Sequence, residues 1–389
     1  MTFTSITWIA AIVFVVGVYW LLPARVRDEF LMAASLGLLA YVDVLSAAIL
    51  VGFVLVVFLV GRMPAYKSAA LAVAVVLFVG TLGVFKAQVA SGPVDVVRDV
   101  AIPLGMSYYT FRAIHYVIDQ HRGALPAHSF RDFAKYMLFL PTIPVGPINR
   151  FPAFKADCDA HGWQSVRLSA GIERLLIGYF KIVVIGSYLF ANYLAVQIGS
   201  LGPEYLSLQL YLEAVRGSLL LYFMFSGYSD VAIGFGLLLG YKVMENFDNP
   251  FMKTNIAQFW RAWHISLTSW SRDYIYMTVL GLSRNPYLGT MASLLVIGIW
   301  HELSLRYVVW GLYHGAGIIF VNKLEKVKRA WRKQRGRKPV RIEPDALPVR
   351  GFKIFLTANY FFFGYVIISQ ESLSDTLQVY NSIFFGWLG

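Results

Sequence analysis

Apolar runs close to twenty residues long recur along the whole chain, and they limit its possible folds more than anything else. Clear runs cover 6–22, 45–60, 68–85, 175–193, 218–241, 287–300, 307–321 and 354–369. A helix needs ~20 predominantly apolar residues to cross a bilayer. A run at 30–42 is short, and one at 102–118 is interrupted by Pro103 and Arg112. Only 14% of the 389 residues are charged, against roughly 25% in soluble domains. The sequence therefore predicts an all-α polytopic membrane protein, a single domain over 1–389. About ten or eleven transmembrane helices are expected at this span length, with some re-entrant or interfacial segments. Broken helices persist in a membrane only where protein or a wet cavity surrounds them. Residues 1–22 have no basic start and no small-residue cleavage site, and read as a retained first span.

The net charge of +12 is concentrated: ten Lys or Arg and one Glu lie between Lys323 and Arg341. A basic loop over about 322–353, cytosolic by the positive-inside rule, is the plain reading. It would also meet anionic lipid headgroups. Nucleic-acid binding is not expected, because the charge is confined between two membrane segments. If 30–60 forms a hairpin around Asp43, then Arg25, Arg27, Arg62 and Lys67 fall on the same inner side. The N-terminus would then be outside. Cys158 is the one cysteine, so no intramolecular disulfide can form.

Two segments do not read as simple spans. One is "FLPTIPVGPINRFPAFKADC", whose prolines 141, 144, 147 and 152 forbid a regular helix. The other, "NFDNPFMKTNIAQFWRAWHISLTSWSRDYIY", mixes tryptophan, arginine and small polar residues as at a membrane–water boundary. On a continuous helix His264, Thr268 and Ser271 share a face, flanked by Arg261 and Arg272. Such a face is either an interfacial helix with snorkelling arginines or the polar lining of a cavity that meets an anionic group. Asp230, inside the run "FSGYSDVAIGFGLLLG", is either one half of a structural ion pair or a functional acid. His301 follows the apolar run 287–300. It is either a histidine satisfied by backbone carbonyls or a general base for a hydroxyl nucleophile. No metal site is expected: "HELSL" has Leu305 where a zinc-protease helix needs its second histidine. His115, His121, His128 and His161 fall in or beside expected loops and read as solvated.

Five blocks in order, "PLGMSYYTFRAIHYVIDQHRG", "PTIPVGPINRF", "FMFSGYSDVAIGFGLLLGYKVMENFDNPF", "FWRAWHISLTSWSRDYIY" and "GIWHELSLRYVVWGLYHG", resemble the membrane-bound O-acyltransferase family. The similarity covers about 102–321, and its bacterial branch of alginate O-acetylation and D-alanyl transfer proteins is the nearest in wording. The resemblance implies a ring of helices around a central tunnel, with funnels from both faces. It also implies an acyl group moved from a cytosolic thioester, acetyl-CoA or an acyl-carrier protein, to a hydroxyl outside the bacterial inner membrane. The acceptor would be a cell-surface polysaccharide or a cell-wall polymer, reached directly or through an extracytoplasmic transferase partner. The family's essential histidine falls on His301, and an earlier Asn-or-His position on His264. In that frame Arg261 or Arg272 would pair with donor phosphates, and Trp263 and Trp300 would exclude water. Asp230 would belong to the same tunnel or donor-binding set. No bound cofactor is implied. One departure stands out: the residue after the family histidine is usually small, and here it is Glu302, with Arg306 one turn on. Acetyl transfer is the favoured reading. D-alanyl transfer and a proton-coupled transporter using Asp230 and His301 are the competing ones.

Overall fold

The computed structural model describes residues 5–62, 79, 80, 83, 105–159, 162–335 and 346–386. Among these the chain is helical, with one isolated antiparallel bridge between Phe247 and Trp263. It divides into two compact units, 1–184 with 224–245, and 185–223 with 246–389. Among the described residues, four helical stretches are long and apolar enough to cross a membrane: Val44–Gly61, Ser165–Gly199, Pro203–Leu238 and Leu347–Ser369. They contain the expected runs at 45–60, 175–193 and 354–369 and most of the run at 218–241. The expected span at 68–85 lies almost wholly outside the described residues.

The first unit begins with α1 (Ile6–Leu21), α2 (Ala24–Val42) and α3 (Val44–Gly61). Asp43 alone joins α2 to α3, and its carboxylate caps α3 by accepting from Leu45 N at 3.1 Å and Ser46 N at 3.0 Å. Such a cap satisfies amides that have no partner inside the helix. The hairpin expected around Asp43 is therefore present. Helix α4 (Met106–His121) runs through Arg112 without interruption, contrary to the sequence expectation. The Arg112 side chain is buried and donates to Tyr136 O at 3.4 Å and Thr142 O at 2.6 Å. Tyr136 belongs to the last turn of α5 (Phe130–Met137), where a cation complements the helix dipole. Helix α6 (Phe151–Asp159) follows the proline-rich stretch.

His115 is also a correction: it is buried rather than solvated. The Tyr136 hydroxyl donates to Asn149 O at 2.7 Å, so it accepts from His115 Nε2 at 2.7 Å. His128 meets the Tyr116 hydroxyl at 2.7 Å, and His161 lies outside the described residues.

Helix α7 (Ser165–Tyr179) packs against the end of α8 (Leu206–Leu238). A Cβ on Gly178 would meet Gly227 O at 2.9 Å and Val231 N at 3.0 Å. Backbones this close admit no larger residue. Beside this contact Asp230, with its side chain only 4% exposed, takes Arg174 Nε at 2.7 Å and Lys181 Nζ at 2.6 Å. Arg174 also pairs with Glu245. These are the contacts of the structural ion-pair reading of Asp230.

The second unit holds α9 (Ile256–Ala262), α10 (Ile265–Ser271), α11 (Met277–Ser283), α12 (Pro286–His301), α13 (Leu305–Gln334), α14 (Leu347–Ser369) and α15 (Leu373–Phe385). The basic segment expected as a loop from 322 is instead a continuation of α13 to Gln334. Lysine and arginine are good helix formers, and Glu325 pairs with Lys328 at 3.3 Å along it.

Replacing Asp230 with Ala takes this carboxylate from Lys181 and leaves Arg174 with its Glu245 pair. Breaking a buried pair costs about 3–5 kcal/mol; the lower end applies here, since Arg174 is 32% and Lys181 24% exposed. Thermal unfolding in detergent should show a clear drop in midpoint for Asp230→Ala. An unchanged midpoint would refute the assignment.

Candidate active site

The expected single helix through His264 is broken. Helix α9 ends at Ala262 and α10 begins at Ile265, so Arg261 and Thr268 do not share one helix. His264 stands at the joint with φ 45° and ψ 54°. L residues occupy this left-handed region at a cost that surrounding structure must hold in place. The clamp is the extended stretch 246–248. Ile265 N donates to Asn246 O at 2.9 Å, and Asp248 N donates to Ala262 O at 3.0 Å. The Asn246 side-chain carbonyl accepts from Ser266 N at 3.2 Å and Ser266 Oγ at 2.8 Å. Thr268 and Ser271 fix the following turn, Thr268 Oγ1 donating to His264 O at 3.2 Å and Ser271 Oγ to Ser293 O at 3.3 Å.

His301 is the last residue of α12 and is exposed. Three residues later the chain re-enters α13, which packs tightly back on α12. A Cβ on Gly298 would overlap Tyr307 O, and one on Gly311 would meet Leu294 O at 2.7 Å. This approach sets Tyr307 and Trp310 beside His301. The Tyr307 ring stacks on the imidazole with centroids 5.8 Å apart and planes at 28°, and Trp310 meets it edge-on at 5.8 Å.

Trp300 brings the two histidines together. Its ring lies 4.4 Å from that of His301 and 6.2 Å from that of His264. The two imidazoles are near enough to interact electrostatically. One is buried and the other is exposed. Trp263 is buried in an aromatic cluster with Phe247 at 5.2 Å, Phe259 at 5.5 Å and Phe361 at 4.8 Å.

None of the other expected site residues has a contact with the His264, Trp300 and His301 rings among those described. Arg261 is exposed on α9. Arg272 is exposed and pairs with Asp273 at 2.9 Å. Asp230 belongs to the first unit. Sequence reasoning missed Asn246, Tyr307 and Trp310. Tyr307 and Trp310 lie in the first two turns after the His301 turn, but nothing in the sequence marked them as partners of the imidazole. Asn246 gives no local signal at all, because its partners lie nineteen and twenty residues on.

Residues 86–366, more than half of the chain, match the membrane-bound O-acyltransferase (MBOAT) family. The chain belongs to the MBOAT family. It is 31% identical over 394 residues to a probable alginate O-acetylase, AlgI, of Azotobacter vinelandii, covering 95% of this chain and 74% of that protein. It is likewise 31% identical to a teichoic acid D-alanyltransferase of Streptococcus thermophilus, over 68% of each chain. A peptidoglycan O-acetyltransferase of Helicobacter pylori is 29% identical over 56% of this chain and 47% of its own length. Family membership decides between acyl transfer and transport: this MBOAT protein is a membrane acyltransferase.

The strained joint makes its own prediction. Glycine adopts positive φ freely, whereas alanine at such a position costs on the order of 1 kcal/mol. His264→Gly should therefore unfold at a higher temperature than His264→Ala in the same detergent. The reverse order would show that the imidazole packing outweighs the backbone conformation.

Proposed function

We propose that this acyltransferase moves an acetyl group from a cytosolic thioester to a hydroxyl of an extracytoplasmic cell-surface polysaccharide or cell-wall polymer, directly or through a partner transferase. The observation that carries this reading is that the His264 and His301 rings both meet the Trp300 ring, at 6.2 Å and 4.4 Å, with His301 accessible. The greater coverage of the O-acetylase relative, 95% of this chain against 68% for the D-alanyltransferase, favours acetyl over D-alanyl. The membrane in this reading is the bacterial inner membrane, and the positive-inside rule applied to residues 323–341 puts the basic segment on its cytosolic side.

In this mechanism His301 accepts the proton of the acceptor hydroxyl as its oxygen attacks the thioester carbonyl carbon. The tetrahedral oxyanion collapses, the C–S bond breaks, and the thiolate takes the proton back from the imidazolium. The positive charge held meanwhile by His301 lies at the carbonyl end of α12, the favourable end of the helix dipole. His264, whose ring also meets Trp300, orients or polarises the acyl carbonyl. Preorganised donors at a developing oxyanion are worth several kcal/mol because they need no rearrangement during reaction. Trp300 and the buried Trp263 cluster limit water, which would otherwise hydrolyse the thioester. The donor is acetyl-CoA or an acylated carrier protein, with no bound cofactor needed. Arg261 is available for donor phosphates. Arg272 would first have to exchange its exposed pair with Asp273, a contact worth about 0–1 kcal/mol.

The test uses purified protein in nanodiscs with labelled acetyl-CoA, with and without cell envelope. Wild type should consume the thioester and label the envelope. His301→Ala should lose both, since a positioned general base contributes roughly 10²–10⁴-fold. Wild-type turnover by a folded His301→Ala protein would sink the general-base assignment.

A further inference from the structure

Helices α2, α3 and α5 of the first unit line a crevice of about 360 Å³. Its walls include Met32 and Leu36 of α2, Val51 and Leu55 of α3, and Phe130 and Ala134 of α5. Water entering a space so apolar finds too few polar partners to stay. The crevice is not closed: Val51 is 38%, Leu55 48% and Phe130 41% exposed. Helix α3 is long and apolar enough to cross a membrane, so its exposed apolar face meets lipid rather than water.

A cation stands at one end of this face. On α3, Val51, Leu55, Phe58 and Arg62 follow at i, i+4, i+7 and i+11, within about 60° of one another around the helix axis. Arg62 therefore ends the stripe that lines the crevice, about 10 Å beyond Leu55. Its guanidinium lies 4.3 Å from the centre of the Phe58 ring, and that ring is 4.9 Å from the ring of Phe130. Arg62 Nη2 donates to His128 O at 3.0 Å, and no carboxylate pairs with this guanidinium among the described residues. The charges beside it cancel. Arg131, at the crevice edge, pairs with Glu29 at 2.7 Å, and Lys135 pairs with Asp28 at 3.0 Å. Arg62 is left uncompensated, at the end of an apolar span where phospholipids carry their phosphates.

We propose that this crevice binds an anionic phospholipid, with one acyl chain lying along Leu55 and Val51 and the phosphate resting on Arg62. Guanidinium and phosphate match as charge-assisted hydrogen-bond partners. A tail that leaves the bilayer for the crevice gains little hydrophobic energy, because lipid chains are as apolar as leucine. Selection therefore rests on the headgroup. A lipid with net negative charge outcompetes one whose phosphate is balanced by its own ammonium.

The test places the protein in nanodiscs of phosphatidylglycerol and phosphatidylcholine in equal amounts. Each lipid in turn carries a photoactivatable diazirine near the end of one chain, and cross-linked peptides are mapped by mass spectrometry. Phosphatidylglycerol adducts should concentrate on residues 32–36, 51–55 and 130–138. There they should exceed those of phosphatidylcholine roughly fivefold, the worth of one cation near an anionic headgroup. Arg62→Gln should abolish that excess, Arg62→Lys should retain most of it, and Arg335→Gln, at the end of α13, should leave it unchanged. Leu55→Trp, which fills the open side, should lower the adducts of both lipids in the crevice. Adducts spread evenly over the exposed apolar helices, or equal yields from the two lipids in wild type, overturn the proposal. So does an excess that survives Arg62→Gln. Should a variant not fold, the wild-type map still decides, and none of these readouts depends on acyl transfer.

Discussion

Between α12 and α13 there is no room for a side chain at Gly298 or Gly311, and the geometry around His301 follows from that. With the two backbones this close, the short turn 302–304 can only return the chain alongside His301. Tyr307 and Trp310 then reach the imidazole from the first two turns of α13. A helix places its side chains far more reproducibly than a loop does, as the base proposed for His301 would require. The same approach brings Glu302, just past the end of α12, to 2.9 Å from Arg306 in the first turn of α13.

His264 is held by a different device. Its backbone conformation is costly, and the bonds from Asn246 to the residues that follow it keep it in place. The consequence is directional: a break between α9 and α10 turns the imidazole toward Trp300, where a continuous helix would have carried it along a shared face with Thr268 and Ser271. Strain of this kind is commonly found where a side chain must be aimed rather than merely buried. At the residue just before the joint, Trp263 packs in an aromatic cluster with Phe247, Phe259 and Phe361.

What the sequence made legible was set by local physics. Apolar runs marked 45–60, 175–193 and 354–369, because span length is a one-dimensional property. The Glu302–Arg306 pair was legible from its i, i+4 spacing. The break at His264 was not, since no proline or glycine marks it and the bonds that impose it come from Asn246. Arg112 and His115 were misread for a related reason. A buried arginine looks like an interruption, and a histidine before a turn looks solvated, until carbonyls from 136 and 142 and a tyrosine hydroxyl arrive from elsewhere in the chain. The basic stretch was taken for a loop on charge alone, although its residues favour helix.

The treatment of charge differs between the two units, and the difference carries the functional argument. In the first unit, ionised groups are closed off by well-placed partners: Asp230 between Arg174 and Lys181, and Arg112 on two carbonyls that end helical turns. Such arrangements lower the cost of a charge away from water and offer little to a ligand. Around His301 the opposite holds. The imidazole is exposed, and Glu302 and Arg306 are paired through one nitrogen while both remain partly open. A pair of that kind is weakly stabilising by itself, since exposed ion pairs contribute about 0–1 kcal/mol. Its charges act instead on any group that approaches the turn joining α12 to α13.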